Sequence, residues 1–397
     1  MKGQFVDRED LYLQIPQGLE EFYSKDEVLY LKRTIYGLKQ AALAFWKELL
    51  QAFKNMGFYR SPADPCLYVK NTSNGLVIWI SWVNDCLLIG HENEVSKYHA
   101  VMNSYFDCDN IGELKEYVGC KIETRKDEKR ILIVQPVIVR SFIDEFGIEE
   151  NRKIEVPAST NDSFSPVMDG DELNEEEQKE YRSGAGKLLY LSRWSRPDIL
   201  NITRELSRYF MRANRAHLKA MKKVMTFCVN TKGHGIFVNP EGYWNGKTDD
   251  DYYFEVLGTS DSDYAKDVTT QKSVSGYVVY LNNSLISAKS KMQECITLSV
   301  AEAELMALIG CVQEMVHVKQ LIESMGLNVK LPMTIKVDNK GAKDLVNNWS
   351  IGGRTRHVGV RLNYLRELKE KGLIQVDWIK SEENVADILT KYLPAVA

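Results

Sequence analysis

Residues Phe254–Asp267 read FEVLGTSDSDYAKD, and this stretch decides the fold of the C-terminal part of the chain. Its apolar first half is typical of a short β-strand, and the acidic residues after Gly258 are typical of a turn. We predict that the strand ends at Asp261, so that the Asp261 carboxylate projects from the rigid edge of a sheet. Because aspartate is common in turns, this residue alone indicates no function.

Three more acidic residues each lie on a different predicted element farther along the chain. Glu304 falls in an apolar-periodic helix, Asp338 ends the predicted strand TIKVDNK, and Asp387 lies in the predicted C-terminal helix EENVADILTKYL. Four carboxylates in one place repel each other unless a cation neutralises them. Two Mg²⁺ or Mn²⁺ ions about 4 Å apart, as in metal-assisted phosphodiester cleavage, would balance such a cluster. We therefore predict that the four acids share one divalent-metal site.

Each acid also has an ordinary structural explanation. Asp338 would serve as a helix N-cap, and Asp387 would complement the dipole of a helix as a first-turn acid. Two further acids, each two positions from a candidate, are rivals for the site: Asp263 and Glu302. The order of the four acids on strand, helix, strand and helix favours the metal site over four separate explanations.

The motifs of residues 252–394 occur together and in one order: SDSDYAKD, KSVSGYVVYL, ISAKSKMQECITLSVAEAELMAL, KVDNKGA, RTRHVGVR and NVADILTK. With them the region resembles a ribonuclease H domain, specifically that of copia-type retrotransposons. The chain upstream is similar to the reverse transcriptase of the same Pol polyproteins. The resemblance implies that four acids are catalytic and hold two Mg²⁺ or Mn²⁺ ions: Asp261, Glu304, Asp338 and Asp387. It also implies an RNA–DNA hybrid as the nucleic-acid partner, and other retrotransposon proteins as further partners.

The resemblance implies a multidomain chain of the α+β and α/β classes. We expect a partial reverse-transcriptase palm and thumb, followed by a ribonuclease H-like domain with a five-stranded mixed sheet and flanking helices. The predicted parts are a partial palm at 1–150, an acidic linker at 151–180, a helical basic thumb or connection at 181–250, and the ribonuclease H-like domain at 251–397. A length of 397 residues agrees with two or three domains, each with its own core.

Residues 76–90, LVIWISWVNDCLLIG, predict two apolar strands around a hairpin at VND. The matching family motif is Tyr-Val-Asp-Asp, whose aspartates help to hold the polymerase metals. Here Trp82 and Asn84 replace the tyrosine and the first aspartate, and a neutral amide is a poorer Mg²⁺ ligand than a carboxylate. An earlier catalytic aspartate of the family would precede Met1. We therefore expect that polymerase activity is lost and that Asn84 and Asp85 are the remnant of its site.

Charge is unevenly distributed between residues 161 and 235. Residues 161–180 carry eight acids and one lysine, whereas residues 181–235 carry twelve Lys or Arg and two acids. The basic residues recur at spacings of three and four, which would form one stripe on a continuous helix, although Asn214 is expected to divide it into two helices. We interpret this surface as a phosphate contact; a solvated helix face and pairing with the acidic stretch are the alternatives. The candidate nucleic-acid-binding residues are Arg204, Arg208 and Arg212, with Arg354 and Arg356 in the later basic loop GGRTRHVGVR.

The composition is that of a globular chain, with 44% hydrophobic residues, 27% charged residues and a net charge of −4. Seven cysteines without CxxC spacing predict reduced thiols. No apolar run approaches the roughly 20 residues that cross a bilayer, and nothing at Met1 resembles a signal peptide. We therefore expect no membrane partner, and a location in the cytoplasm, within a virus-like particle, or in the nucleus. The sequence leaves the oligomeric state open.

The main functional hypothesis is hydrolysis of the RNA strand of RNA–DNA hybrids by a ribonuclease H joined to a truncated, degenerate reverse transcriptase. Two alternatives remain: a non-catalytic relic that binds nucleic acid, and a polymerase completed by another chain. One departure from the family pattern concerns a helper histidine, which cellular ribonucleases H place shortly before the last aspartate. Residues 380–384 contain no histidine, so the residue with that role is unassigned.

Overall fold

A computed structural model describes residues 11–394, apart from 20, 25, 33, 36, 84, 126–129, 160, 161, 163, 165, 169, 240, 241, 243, 249, 250 and 348–358. The chain divides into two compact units. The first comprises 1–113, 244–250 and 324–326, and the second comprises 114–243, 251–323 and 327–397. The four-part division predicted from the sequence stays a prediction.

The first unit has a four-stranded antiparallel sheet with two helices. Its elements are β1 (Tyr12–Gln14), β2 (Val28–Tyr30), α1 (Ala41–Asn55), β3 (Tyr59–Arg60), β4 (Leu67–Thr72), β5 (Gly75–Trp82), β6 (Asp85–Ile89) and α2 (Glu92–Tyr105). The sheet order is β3-β4-β5-β6, and β1 pairs with β2. The core is aromatic: Phe53 of α1 stacks on Tyr68 with ring centroids 3.9 Å apart and meets the Trp79 ring edge-on at 5.1 Å. These contacts hold α1 on the sheet because large rings bury much apolar area.

The second unit begins with a four-stranded antiparallel sheet and four helices. Its elements are β7 (Glu116–Tyr117), β8 (Cys120–Arg125), β9 (Arg130–Val134), α3 (Pro136–Phe146), α4 (Glu175–Trp194), a 3-10 turn (Pro197–Ile199), α5 (Leu200–Ser207), α6 (Arg215–Asn230) and β10 (Ile236–Val238). The helices share a core that includes the fully buried Phe142 and Tyr181. Asn174 caps α4 through a capping box with Glu177, and Asn214 caps α6 in the same way with His217. The predicted interruption at Asn214 is confirmed.

The second unit ends with a five-stranded mixed sheet and its helices. These elements are β11 (Tyr253–Phe254), β12 (Val256–Asp263), β13 (Val274–Leu281), β14 (Ser284–Met292), α7 (Val300–Ser324), β15 (Asn328–Val329), β16 (Met333–Val337), α8 (Lys340–Asn347), α9 (Gly359–Glu370), β17 (Ile374–Trp378) and two 3-10 helices (Ser381–Glu383 and Val385–Leu389). The order is β14-β13-β12-β16-β17. The first three strands are antiparallel, and β16 and β17 run parallel to β12. The predicted five-stranded mixed sheet is therefore confirmed.

Two local features fix how this sheet is built. Asn282 and Asn283 join β13 to β14 with positive φ angles of 44° and 62°, the backbone that a two-residue hairpin turn requires and that asparagine tolerates. Gly258 of β12 lies against α7, where an added Cβ would be 2.6 Å from both the Cys311 and Met315 sulfur atoms. The missing side chain at Gly258 therefore lets α7 lie close to the sheet.

Helix α7 corrects one expectation from the sequence. Within the described part of the chain, α7 has the length and the composition that a helix needs to cross a membrane. Half of its most apolar 18-residue stretch is buried. The expectation that no such stretch exists is wrong. A buried core helix meets the same criterion, and α7 buries Leu305, Leu308 and Val312. Packing within the second unit therefore accounts for the apolar character of α7.

All seven cysteines are free thiols in the structure. Burial raises the pKa of the Cys120 thiol to about 11 and that of Cys228 to about 12. Buried thiols of this kind behave as small apolar core residues. The prediction of reduced cysteines is confirmed.

Candidate active site

Asp261 lies inside β12 rather than at its end, which corrects the sequence prediction. The strand continues to Asp263, and Asp261 pairs in register with Gly276 of β13. Its side chain is 1% exposed. The antiparallel ladder with β13 runs two residues beyond Asp261, so the carboxylate is held from the middle of a paired strand.

Asp338 reaches Asp261 because two strands are parallel neighbours. Ser260 of β12 pairs with Val337 of β16, and β16 ends at Val337. Asp338 is therefore the first residue to leave the sheet beside Asp261, as the sequence predicts. Its Oδ2 atom accepts a hydrogen bond of 2.8 Å from the Ser381 hydroxyl.

Glu304 comes to the same place from the first turns of α7. It is 4% exposed, and Oε2 has no hydrogen-bond partner among the described residues. Both rival acids have other partners: Glu302 accepts from the Leu298 backbone N–H at 2.7 Å, and Asp263 pairs with Lys266 at 2.9 Å. The choice of Glu304 and Asp261 over these rivals agrees with the geometry.

Three of the four predicted acids converge closely. One carboxylate oxygen from each of Asp261, Glu304 and Asp338 lies within 4.8 Å of the other two. Mg²⁺ binds oxygen at 2.0–2.1 Å, so oxygens on opposite sides of one ion are about 4.2 Å apart. Small side-chain rotations would close the three oxygens around one such ion, and Glu304 Oε2 has no hydrogen bond among the described residues that a metal ion would have to replace. The donor set therefore fits a hard divalent cation.

Burial and the neighbouring carboxylates change the pKa of Glu304. Burial, followed by the charges of Asp261 and Asp338, raises the Glu304 pKa from 4.5 to about 8. Hydrogen bonds with Ser262 lower this pKa by a smaller amount. A carboxyl group among like charges takes up a proton unless a cation is present. Without a metal, Glu304 is therefore protonated near neutral pH.

Asp387 lies on a 3-10 helix, not on the α-helix that was predicted. Short 3-10 turns bring residues i and i+3 nearly into line, so Asp387 and Thr390 both face Asp261. Burial and the charge of Asp261 raise the Asp387 pKa to about 6, and the ammonium of Lys391 opposes this rise. The fourth acid thus joins the cluster beside Asp261.

The sequence analysis missed two residues that contact Asp261. Thr390 is fully buried and its hydroxyl donates to Asp261. The Lys391 ammonium donates to Asp261 Oδ1 and Asp387 Oδ1, both at 3.1 Å. Burial lowers the pKa of Lys391, but the two carboxylates raise it above its usual value. The one available signal was the spacing in ADILTK, because positions i and i+4 meet on a helix.

The predicted polymerase hairpin forms in the first unit. Strands β5 and β6 pair from Trp82 opposite Asp85 to Ile78 opposite Ile89. Val83 in the turn has φ 55°, and Asp85 is exposed at the start of β6. Asn84 lies outside the described residues. An apolar cavity of about 290 Å³ adjoins this hairpin and the start of α1, and it is lined by Gly37, Leu38, Ala41, Ala42, Phe45, Trp46, Leu49, Cys66, Ser81 and Val83.

The three candidate arginines around α5 do not form a free basic stripe. Arg204 pairs with Glu205 at 3.0 Å and donates to Ser290. Arg208 bridges Glu205 and Asp267, with both nitrogen–oxygen distances at 2.5 Å. Arg212 pairs with Glu172 in the acidic stretch. The alternative of pairing with the acidic stretch describes Arg212, whereas Arg204 and Arg208 pair with acids outside that stretch.

The contact of these arginines with nucleic acid stays a prediction, because phosphates would have to compete with existing acidic partners. Arg354 and Arg356, the other two candidates, lie outside the described residues. The basic stripe was predicted from the spacing of Lys and Arg along the helix. Spacing does not reveal acids from other segments, and those acids decide whether an arginine is available.

A five-stranded mixed sheet of this order, with a buried acid on β12, a half-buried acid after β16 and a buried acid on the helix above, defines a ribonuclease H-like domain. Residues 2–160, in turn, match the family "Reverse transcriptase (RNA-dependent DNA polymerase)". The chain is 27% identical over 391 residues to the Retrovirus-related Pol polyprotein from transposon TNT 1-94 of Nicotiana tabacum, covering 97% of this chain and 28% of that protein. It is also 27% identical over 400 residues to the corresponding polyprotein from transposon RE1 of Arabidopsis thaliana, covering 100% of this chain and 26% of that protein.

The chain therefore resembles retrotransposon Pol polyproteins over nearly its whole length, and the resemblance seen in the sequence is confirmed. It spans about a quarter of the length of the curated relatives it matches. Among solved structures, it is similar to LC11-RNase H1, isolated from compost by a metagenomic approach. That match has 14% identity and a TM-score of 0.28, and it covers 34% of this chain and 92% of that chain. A structure of LC11-RNase H1 in complex with an RNA/DNA hybrid matches at 13% identity and a TM-score of 0.28, over 34% of this chain and 94% of that chain.

Proposed function

We propose that this protein hydrolyses the RNA strand of RNA–DNA hybrids with two divalent metal ions. The observation that carries the proposal is the approach of three carboxylate oxygens within 4.8 Å, from Asp261, Glu304 and Asp338. Two of these side chains are buried, so the protein has placed costly charges together where a cation would neutralise them. Such an arrangement is favoured by catalytic rather than structural needs.

Four residues would hold the two Mg²⁺ or Mn²⁺ ions. Asp261, Glu304 and Asp338 form one set of ligands, and Asp261 with Asp387 forms the second. When bound, two such ions supply an activated water nucleophile and stabilise the leaving 3′ oxygen. Asp261 belongs to both sets, and its position within a paired strand keeps the two sets aligned. The Thr390 hydroxyl orients the Asp261 carboxylate by donating a hydrogen bond to it.

We infer the substrate class from the proposed hydrolysis and from the resemblance of the sequence to ribonuclease H domains. An RNA strand differs from a DNA strand by its 2′-hydroxyl groups, and recognition of a hybrid rests on these groups and on the shape of the duplex. We infer that the hybrid lies over the face that carries the four acids. Other retrotransposon proteins as partners, and a location in a virus-like particle or in the nucleus, stay predictions.

The direct test is cleavage by the full 397-residue chain. Labelled RNA is offered as a hybrid with DNA, as a single strand and as an RNA duplex, each with Mg²⁺, with Mn²⁺ or with EDTA. We expect cleavage of the hybrid alone, and only with a divalent ion. Binding of the hybrid without cleavage under any of these conditions would favour the alternative of a non-catalytic nucleic-acid-binding relic.

We further propose that RNA-directed DNA polymerase activity is lost. The reverse transcriptases that this part of the chain resembles have an aspartate at the position of Asn84. A neutral amide is a poorer ligand for Mg²⁺ than a carboxylate. We expect no extension of a DNA primer on an RNA template with Mg²⁺ and all four nucleotides, measured on a denaturing gel. Extension by the purified chain would contradict this prediction. Extension only after a second protein is added would favour the alternative of a polymerase completed by another chain.

Gly276 gives a prediction about how the last acid is positioned. It lies opposite Asp261 in the sheet, and an added Cβ would be 2.7 Å from Thr390 Cγ2 and 2.8 Å from Leu389 Cβ. Gly276→Val should displace the 3-10 helix (Val385–Leu389) and lower the cleavage rate by about tenfold or more, because a misplaced catalytic group is costly. The measurement is the initial rate on the hybrid, with circular dichroism as the check on folding.

A matched control uses a glycine of the same chain with open space around it. Gly186 of α4 has no atom within 4 Å of an added Cβ, so Gly186→Ala should keep the parental rate. If Gly276→Val cleaves as fast as the parent, the 3-10 helix does not need its observed position against β13.

A further inference from the structure

Lys391 occupies a distinctive position in the cluster of acids. Its ammonium lies 3.1 Å from an oxygen of Asp261 and 3.1 Å from an oxygen of Asp387. Within the described part of the chain, Lys391 is the one cationic side chain that forms an ion pair with any of the four predicted acids. The two acids that Lys391 bridges, Asp261 and Asp387, are the second proposed set of metal ligands.

An ammonium group and a divalent ion cannot share this place. Mg²⁺ would bind the same carboxylate oxygens at 2.0–2.1 Å, and two positive charges a few ångströms apart repel strongly. The first set of ligands is different, because Glu304 and Asp338 have no ion pair with Lys391 among the described residues. Among the described residues, Lys391 therefore pairs with both ligands of the second metal position but with only one ligand, Asp261, of the first.

The surroundings of Lys391 allow its side chain to leave while the backbone stays. The side chain is 37% exposed, so the ammonium can turn toward water. The preceding residue, Thr390, is fully buried and is tied to Asp261 by its hydroxyl. Movement of one flexible side chain is thus enough to uncover the two carboxylates.

We propose that Lys391 is an internal counter-ion that holds the second metal position in the metal-free protein and is displaced when the second ion binds. This inference rests on the proposed two-metal function. The first ion meets Lys391 only at the shared Asp261, because Glu304 and Asp338 have no ion pair with Lys391 among the described residues. The second ion competes with Lys391 for Asp261 and Asp387, so the two ions bind in order and with different affinities. Lys391 also keeps the acidic cluster partly neutral before any metal arrives.

The experiment measures metal binding directly, using Mn²⁺ as the probe. The full chain is stripped of metal, and Mn²⁺ is titrated by calorimetry while free Mn²⁺ is counted by electron paramagnetic resonance. We expect two ions per parent chain, the second bound more weakly. Lys391→Met should strengthen binding of the second ion by about tenfold or more, since a nearby positive charge is removed. Binding of the first ion should change by less than about threefold, because Asp261 alone is common to both sites.

Two further variants make the outcome decisive. Lys391→Gln provides a polar replacement if Lys391→Met fails to fold, and it should strengthen binding of the second ion in the same direction. Lys371→Met is the matched control, because Lys371 forms an exposed ion pair with Glu367 and contacts none of the four acids in the described structure. Its Mn²⁺ isotherm should match that of the parent.

The experiment distinguishes failure of the counter-ion proposal from failure of the proposed function. If the parent binds two Mn²⁺ ions and cleaves hybrid, but neither Lys391 variant binds the second ion more tightly, the counter-ion proposal is overturned and the two-metal function stands. If the parent binds no Mn²⁺ and does not cleave hybrid with any divalent ion, the proposed function itself fails. A tighter second site in both Lys391 variants, with an unchanged Lys371→Met isotherm, supports the counter-ion role.

Discussion

Replacing Asp338 by asparagine should abolish metal-dependent cleavage of RNA in an RNA–DNA hybrid while leaving the protein folded. Asparagine has nearly the shape of aspartate and still offers a carbonyl oxygen to the Ser381 hydroxyl, which now donates to Asp338 Oδ2 at 2.8 Å. It removes, however, one of three charges that would hold a divalent ion. We expect the rate to fall by at least about a hundredfold, as for the loss of one charge-stabilising group in an active site. The measurement is the initial rate at saturating hybrid and Mg²⁺.

The control for this variant is a second aspartate of the same sheet. Asp377 of β17 is exposed and pairs in register with Lys336, outside the acidic cluster. Asp377→Asn should therefore cleave at the parental rate and melt at the parental temperature. A parental rate in Asp338→Asn, with normal melting, would show that Asp338 has no role in catalysis.

Without metal, the stability of the protein should fall as pH rises from about 4.5 to about 8, because Glu304 titrates in this window. The folded protein keeps the Glu304 proton up to pH about 8, whereas the unfolded chain releases it near pH 4.5. This stabilisation is complete below the unfolded pKa and is lost as pH rises through the folded pKa. Asp387, whose pKa is raised to about 6, acts in the same direction. The total effect is on the order of a few kcal/mol.

Thermal melting at pH 5 and pH 8 in EDTA measures this effect. Glu304→Gln should remove most of the pH dependence, because the neutral amide does not titrate. Glu302→Gln is the matched control two residues away, and it should keep the parental dependence, since a glutamine oxygen can still accept from the Leu298 backbone N–H. Saturating Mg²⁺ should flatten the dependence by favouring the ionised carboxyl groups. Equal slopes in Glu304→Gln and the parent would mean that Glu304 is not the group responsible.

Local sequence patterns determined most elements of the second unit. The apolar strands around Asn282 and Asn283 form the predicted hairpin, because the asparagine pair tolerates the positive φ angles of a tight turn. Asn214 lies between α5 and α6 and caps α6, because its side-chain oxygen accepts a hydrogen bond from the His217 backbone N–H. In each case the deciding interaction lies within a few residues of chain, so the sequence alone was sufficient.

The sequence also determined which acids could meet, because their order on strands and a helix matched one sheet topology. It did not show where each carboxylate lies on its element. Asp261 is inside β12 because the ladder with β13 extends to Asp263, a fact set by pairing with residues 274–276. Asp387 lies on a 3-10 helix whose position depends on the space left by Gly276. Such contacts join distant segments, and no local pattern records them.

The tertiary structure alone decided which charges are neutralised. The sequence predicted a phosphate contact for Arg208, and in the structure Arg208 pairs with Asp267, which lies 59 positions farther along the chain. Lys391 bridges Asp261 and Asp387, and its partner Asp261 is 130 positions away. Coulomb interactions depend on distance in space and on burial, not on separation along the chain. Sequence therefore determined the chemistry available to this protein, and only the fold decided which acids are left for a metal ion and which already have a cation.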